Sequence, residues 1–181
     1  GLGDNCRLLF GDLAWKDYEY TLQARKLDGR EGFLIIFRAA SADDFYWVNF
    51  GGWGNVNHGI ERGVAGQGRW RAVTTTPGKI DADHWYSIRV HCEGPRIRVF
   101  LDDREVFDFT DKEHPHLGGR VGVGTWGTAA QYRNLKVTSL DGRVLFSGLP
   151  PGVGRNSVAG GWSAYGPGLV NLSRERPLNG D

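Results

Sequence analysis

The residues best equipped for chemistry crowd into positions 31–61, EGFLIIFRAASADDFYWVNFGGWGNVNHGIE, whose second half holds Trp47, Asn49, Trp53, Asn55, His58 and Glu61 among glycines. A sugar ring presents C–H patches on its faces and hydroxyls around its rim. Aromatic faces beside paired donors and acceptors therefore suit a saccharide. Trp53 stands between Gly52 and Gly54, a setting poorly suited to a core and well suited to stacking on a pyranose or furanose. Trp126 in GTWGT shares that setting. Trp47 and Trp53 have a competing use as plugs at the ends of a sandwich. Asn49, Asn55, His58 and Glu61 are the candidates for hydroxyl contacts. Glu31, behind Arg30 at the entrance to FLIIF, either joins them or forms an exposed ion pair worth little.

Other chemistries fit less well. Glycoside hydrolysis needs two carboxyl groups flanking the scissile oxygen with separated pKa values. No strand carries alternating acids of the E-x-D-x-x-E kind, and Glu31, Asp44 and Glu61 are the acids near the aromatic cluster. Catalytic residues are therefore not expected, and an enzymatic alternative would have to use these three. Gly122, Gly124 and Gly127 fit G-x-G-x-x-G, but AAQYRNLKV continues as strand, so no helix N-terminus follows to hold a pyrophosphate. His114 and His116 in KEHPH lack a second ligand cluster at zinc spacing, and there is no G-x-S-x-G elbow. Asn171-Leu-Ser173 is a glycosylation sequon that matters only in a secretory eukaryotic host.

The elements that must position these groups are short strands. Tyr18, Tyr20, Leu22 and Ala24 alternate with polar residues, as do Tyr86, Ile88, Val90 and Cys92, while FLIIFR at 33–38 is apolar on both faces and suits a central strand. Asp28-Gly29, Asp102-Asp103 and Asp141-Gly142 read as tight turns. No window has apolar residues at helical spacing. With 28 glycines and 12% aromatic residues in 181, the pattern predicts an all-β, two-sheet antiparallel sandwich or jelly roll. The Gly/Pro-rich stretch GLPPGVGRNSVAGG suggests a boundary near Gly148, giving a module at 1–147 and, at 148–181, a linker and the start of a following β unit. A tail strand packed back on the sandwich is the alternative.

A net charge of +1 with scattered arginines gives no field for nucleic acid, and no apolar run reaches the roughly 20 residues that cross a bilayer. Neither nucleic acid nor membrane is expected as a partner. Cys6 and Cys92 are too few for a disulfide framework and are read as two separate thiols before a bridge. Methionine is absent even at position 1, which suggests a piece of something longer. The compartment is open, with an extracellular or periplasmic one favoured.

WKDYEYTLQARK, EGFLIIFR, YWVNFGGWGNVNHGIERG, HWYSIRV, IRVFLDDREV and GVGTWGTAAQYRNLKV together resemble the concanavalin A-like, laminin-G-type jelly-roll module carried inside many family 51 α-L-arabinofuranosidases. The resemblance runs from about Trp15 to Val137 in order, and the tail resembles sequence where the sandwich of the catalytic part resumes. It implies a non-catalytic carbohydrate-binding role in an enzyme acting on arabinoxylan or arabinan, with a polysaccharide or oligosaccharide and the parent catalytic domain as partners. A structural brace on that catalytic domain and a stand-alone jelly-roll glycosidase or lyase are the alternatives. No cofactor is expected; modules of this type often hold a structural calcium ion, yet no acid cluster here demands one.

Overall fold

The computed structural model describes residues 5–153, 162–165 and 168–171. Two antiparallel sheets pack face to face. One runs β1 (Cys6–Phe10), β10 (Arg120–Thr125), β3 (Phe33–Ala39), β4 (Phe45–Gly51), β5 (Asn57–Gly63), β6 (Arg71–Pro77). The other runs β13 (Trp162–Tyr165), β14 (Gly168–Asn171), β11 (Thr128–Ser139), β2 (Tyr18–Gly29), β7 (Trp85–Glu93), β8 (Arg96–Leu101), β9 (Arg104–Thr110), with β12 (Val144–Ser147) also pairing β11. This is the all-β sandwich expected from the period-two strands.

Alternation decides which side chains fill the space between the sheets. Tyr18, Tyr20, Leu22 and Ala24 of β2 face Phe33, Ile35 and Phe37 of β3 and Tyr46, Val48 and Phe50 of β4 in one continuous core. Asp102 and Asp103 take φ values of 48° and 63°, the left-handed pair of a two-residue hairpin between β8 and β9. Cys92 lies in the core, where burial pushes its thiol up to about 12, while Cys6 sits half-buried on the other sheet, and no disulfide joins the two.

Beyond Gly148, the described residues include two further strands, 162–165 and 168–171. β14 pairs Leu169 with Tyr132 and Val170 with Gln131 of β11, and β13 pairs β14. Trp162 is 1% exposed and its ring lies 5.6 Å from that of Tyr132, tilted by 47°. The glycines and prolines mark a connector, but Trp162, Leu169 and Val170 behind it have an apolar surface to bury, and the edge of β11 receives it.

A polar network pins β4 and β5 to the segment after β9. The Tyr46 hydroxyl and Arg62 Nη1 donate to Asp111 Oδ2 at 2.5 and 2.6 Å, and the amides of Glu113 and His114 donate to Oδ1 at 3.0 and 3.2 Å. Burial would raise this carboxyl, but the hydrogen bonds outweigh it and hold it at about 2. The folded value lies below the ordinary 3.8, so the stability gained is complete above that value and is lost as the pH falls toward 2. Urea unfolding of Asp111→Asn should therefore show lower stability at neutral pH and a shallower decline on acidification than the parent; an unchanged acid decline would contradict this.

Candidate functional site

The six-stranded sheet turns a second face outward, and its middle strands carry a separate apolar cluster there: Leu34, Ile36, Ala39, Phe45 and Trp47, flanked by Leu9, Trp70 and Trp126. Register brings its members together. Leu34 pairs with Asn49, Ile36 with Trp47, Trp47 with Glu61, and Asn49 with Gly59. Above them lies an open cleft of about 210 Å³, lined by Glu31, Leu34, Trp47, Asn49, Trp53, Glu61, Trp70 and Trp126.

Glu61 sits at its base, 8% exposed. Its Oε2 accepts from Trp47 Nε1 at 2.5 Å and from Asn49 Nδ2 at 3.2 Å. Burial raises its pKa above the usual carboxylate range, the two hydrogen bonds oppose that, and the charge of Glu31 adds to the rise. The Glu31 carboxylate accepts from the Gly54 amide at 3.3 Å, which ties it to the rim loop.

Trp53 forms the most open wall, at 43% exposure. The turn between β4 and β5 is left-handed at Gly51 (φ 64°), Trp53 (φ 54°), Gly54 (φ 80°) and Asn55 (φ 65°). A non-glycine residue held there is an uncommon backbone state, kept by its surroundings. The indole lies over Gly59, where an added Cβ would come within 2.6 Å of Cη2. Trp70 continues the aromatic surface, 5.9 Å from Trp126 and 4.9 Å from Trp47. The Arg7 guanidinium covers Phe45 at 4.9 Å and Trp47 at 5.7 Å.

Six of the eight candidate residues thus line one cleft, and two do not. His58 belongs to the opposite face of β5: it is 6% exposed, its Nδ1 accepts from the Gly51 amide at 3.0 Å, and its ring meets Phe50 at 5.3 Å. Burial, then the charge of Arg104, lowers its pKa, so it is a neutral brace for the turn. Asn55 clasps Ile80 in both directions, donating to its carbonyl at 2.9 Å and accepting from its amide at 2.8 Å. Both shape the Trp53 loop from behind. Trp47 is nearly buried, so it is wall and core at once. Asp44, an acid of the enzymatic alternative, instead accepts from the Ala65 amide at 2.7 Å and does not line the cleft.

Trp70 was not foreseen among the site residues. It stands between Arg69 and Arg71, two residues after Gly68 (φ 87°), and so lacks the glycines on both sides that singled out Trp53 and Trp126.

Residues 2–138 match the model of the 3-keto-alpha-glucoside-1,2-lyase-like domain. The chain belongs to that family. An extracellular exo-alpha-L-arabinofuranosidase of Streptomyces chartreusis is 35% identical over 109 residues, 60% of this chain and 13% of that protein. A levanase of Bacillus sp. (strain L7) is 29% identical over 75 residues, 41% of this chain and 8% of that protein. This member of the 3-keto-alpha-glucoside-1,2-lyase-like family thus corresponds to only a small part of each of these relatives. In fold it is similar to the carbohydrate-binding module CBM66 from Bacillus subtilis, with a TM-score of 0.66 and 22% identity over 76% of this chain and 83% of that one. The chicken liver agglutinin CG-16 aligns with a TM-score of 0.54 and 12% identity over 73% of this chain and 99% of that one. The domain thus shares its fold with a carbohydrate-binding module, and its sequence is related to parts of an arabinofuranosidase and a levanase.

Proposed function

We propose that this domain is a non-catalytic carbohydrate-binding module that holds a larger glycoside hydrolase, of the α-L-arabinofuranosidase kind, against arabinoxylan or arabinan outside the cell. The observation that carries the reading is the cleft itself. Three indoles that water reaches, Trp53, Trp70 and Trp126, stand around a carboxylate whose Oε2 is already fixed by Trp47 and Asn49. Indole faces take the C–H patches of a sugar, and the Glu61 carboxylate and Asn49 amide take a pair of its hydroxyls. The similarity to part of an extracellular arabinofuranosidase supports the substrate class and the location, and the resemblance to modules of family 51 enzymes points the same way. A cleft this open gives weak affinity, which several copies or a tethered enzyme would compensate.

Titration with arabinan or arabinoxylan oligosaccharides should quench or shift the tryptophan fluorescence of the domain without releasing sugar. Silence toward every such glycan would reject the reading. A catalytic alternative is favoured by one observation, that Glu31 and Glu61 line the same cleft with Glu61 raised by burial. Cleavage products in the same titration, lost in Glu61→Gln, would establish it instead.

A further inference from the structure

The outer face of the eight-stranded sheet, across the sandwich from the tryptophan cleft, carries an uneven distribution of charge. Three of its arginines are neutralised: Arg89 by Glu19 at 3.3 Å, Arg96 by Asp108 at 2.6 Å and Arg98 by Glu105 at 2.5 Å. Arg25 and Arg133 have no carboxylate within ion-pair distance among the described residues. Their partners are neutral amides. Arg25 Nε and Nη2 both donate to Gln131 Oε1, at 3.1 and 2.5 Å, and Arg133 Nε donates to Gln23 Oε1 at 2.8 Å.

Both guanidiniums also stack on one indole. Their central carbons lie 5.0 Å (Arg25) and 3.9 Å (Arg133) from the Trp85 ring centroid. The sheet register explains the meeting: Arg25 pairs with Trp85 on one side and Gln131 on the other, and Arg133 pairs with Gln23 in the next row. Two positive charges are thus gathered on Trp85 and oriented by amide oxygens, with no carboxylate among the described residues in ion-pair range of either. A recess of about 170 Å³ opens beside them, bounded by Arg25, Trp85, Gln131, Arg133 and the β14 residues Gly168 and Leu169.

We propose that this recess is a second glycan site, taking the carboxylate of a uronic acid unit in an acidic polysaccharide. A planar guanidinium donates two parallel hydrogen bonds to a carboxylate, and stacking on Trp85 holds each fork so that little side-chain freedom is lost on binding. Gln131 lines the recess with an amide nitrogen that the arginines leave unused, so it can meet a hydroxyl next to that carboxylate, while the Gln23 amide nitrogen donates to Ser87 Oγ at 3.3 Å. A recess of this volume fits one sugar unit, where an acidic protein would need a broad flat face. The inference goes beyond the neutral-sugar reading and stands on a different sheet.

Calorimetric titration of the whole chain with tetragalacturonic acid and with its methyl ester tests the proposal. The acid should bind about tenfold more tightly than the ester, as expected for a charge-assisted pair, and should weaken as salt rises. Arg25→Gln with Arg133→Gln should remove the preference at an unchanged melting temperature, Arg25→Lys with Arg133→Lys should keep part of it, and Trp53→Ala should leave it intact. Equal affinity for acid and ester, or an unaltered preference in the double glutamine variant, would overturn it. Polyglutamate binding as tightly as the uronate would also overturn it, by assigning the surface to an acidic protein.

Discussion

Replacing Arg38 with methionine is expected to cost about 3–5 kcal/mol of unfolding free energy, since several acceptors would lose their donor at about 1–3 kcal/mol each. The arginine ends the apolar run FLIIFR, has a positive φ of 48°, and its side chain is wholly buried. Its guanidinium closes one end of the sandwich by donating to the carbonyls of Gly94, His116 (3.0 Å) and Lys16 (3.3 Å) and to Asp17 Oδ1 (3.1 Å). Asp17 is half-exposed, so that ion pair contributes little by itself. The larger loss comes from the three carbonyls, which would be left without a donor in a place methionine cannot hydrate. Denaturant unfolding measures it, and a change below about 1 kcal/mol would show that water replaces the guanidinium without penalty.

The second large effect falls on ligand binding. Trp53→Ala should weaken saccharide affinity by about tenfold or more, since an exposed aromatic wall is the kind of residue that dominates such contacts. Gly59→Val should do the same while leaving Trp53 in the sequence. The indole rests directly over Gly59, and a Cβ there would approach to 2.6 Å, so the ring must leave its seat. Gly59 has an ordinary strand backbone, and valine favours strands, so the melting temperature should hold for this variant. If Gly59→Val binds like the parent, the position of the Trp53 ring is immaterial to the ligand and the cleft is wrongly assigned.

Much of the fold could be read from the sequence because β2 and β7 alternate cleanly, one face against the core and one against water. β3 and β4 could not be read that way. Both are buried on both faces, so hydrophobicity carries no period, and the outward cluster of Leu34, Ile36, Phe45 and Trp47 is hidden inside what looks like uniform core. The misplacement of His58 has a simple origin. Closeness in sequence to Glu61 suggested a shared site, but three positions along a strand is an odd step, and odd steps change face. Asn55 was drawn in the same way from a turn whose left-handed backbone needs a side-chain clasp, which Ile80 provides. Trp70 escaped because register, not sequence distance, brings it beside Trp47 and Trp126. β13 and β14 were obscured by the glycines and prolines before them, whose composition says nothing about what the strands behind them can bury.

The chain has seven tryptophans, and each gives one indole N–H signal in a nitrogen-15 spectrum. Trp47, Trp53, Trp70 and Trp126 line the cleft, while Trp15, Trp85 and Trp162 lie elsewhere. On titration with a neutral arabinooligosaccharide, the first four signals should move together along one binding curve and the other three should stay. Saturable binding that leaves those four in place, or that moves Trp85 instead, would contradict a saccharide site on the outer face of the six-stranded sheet.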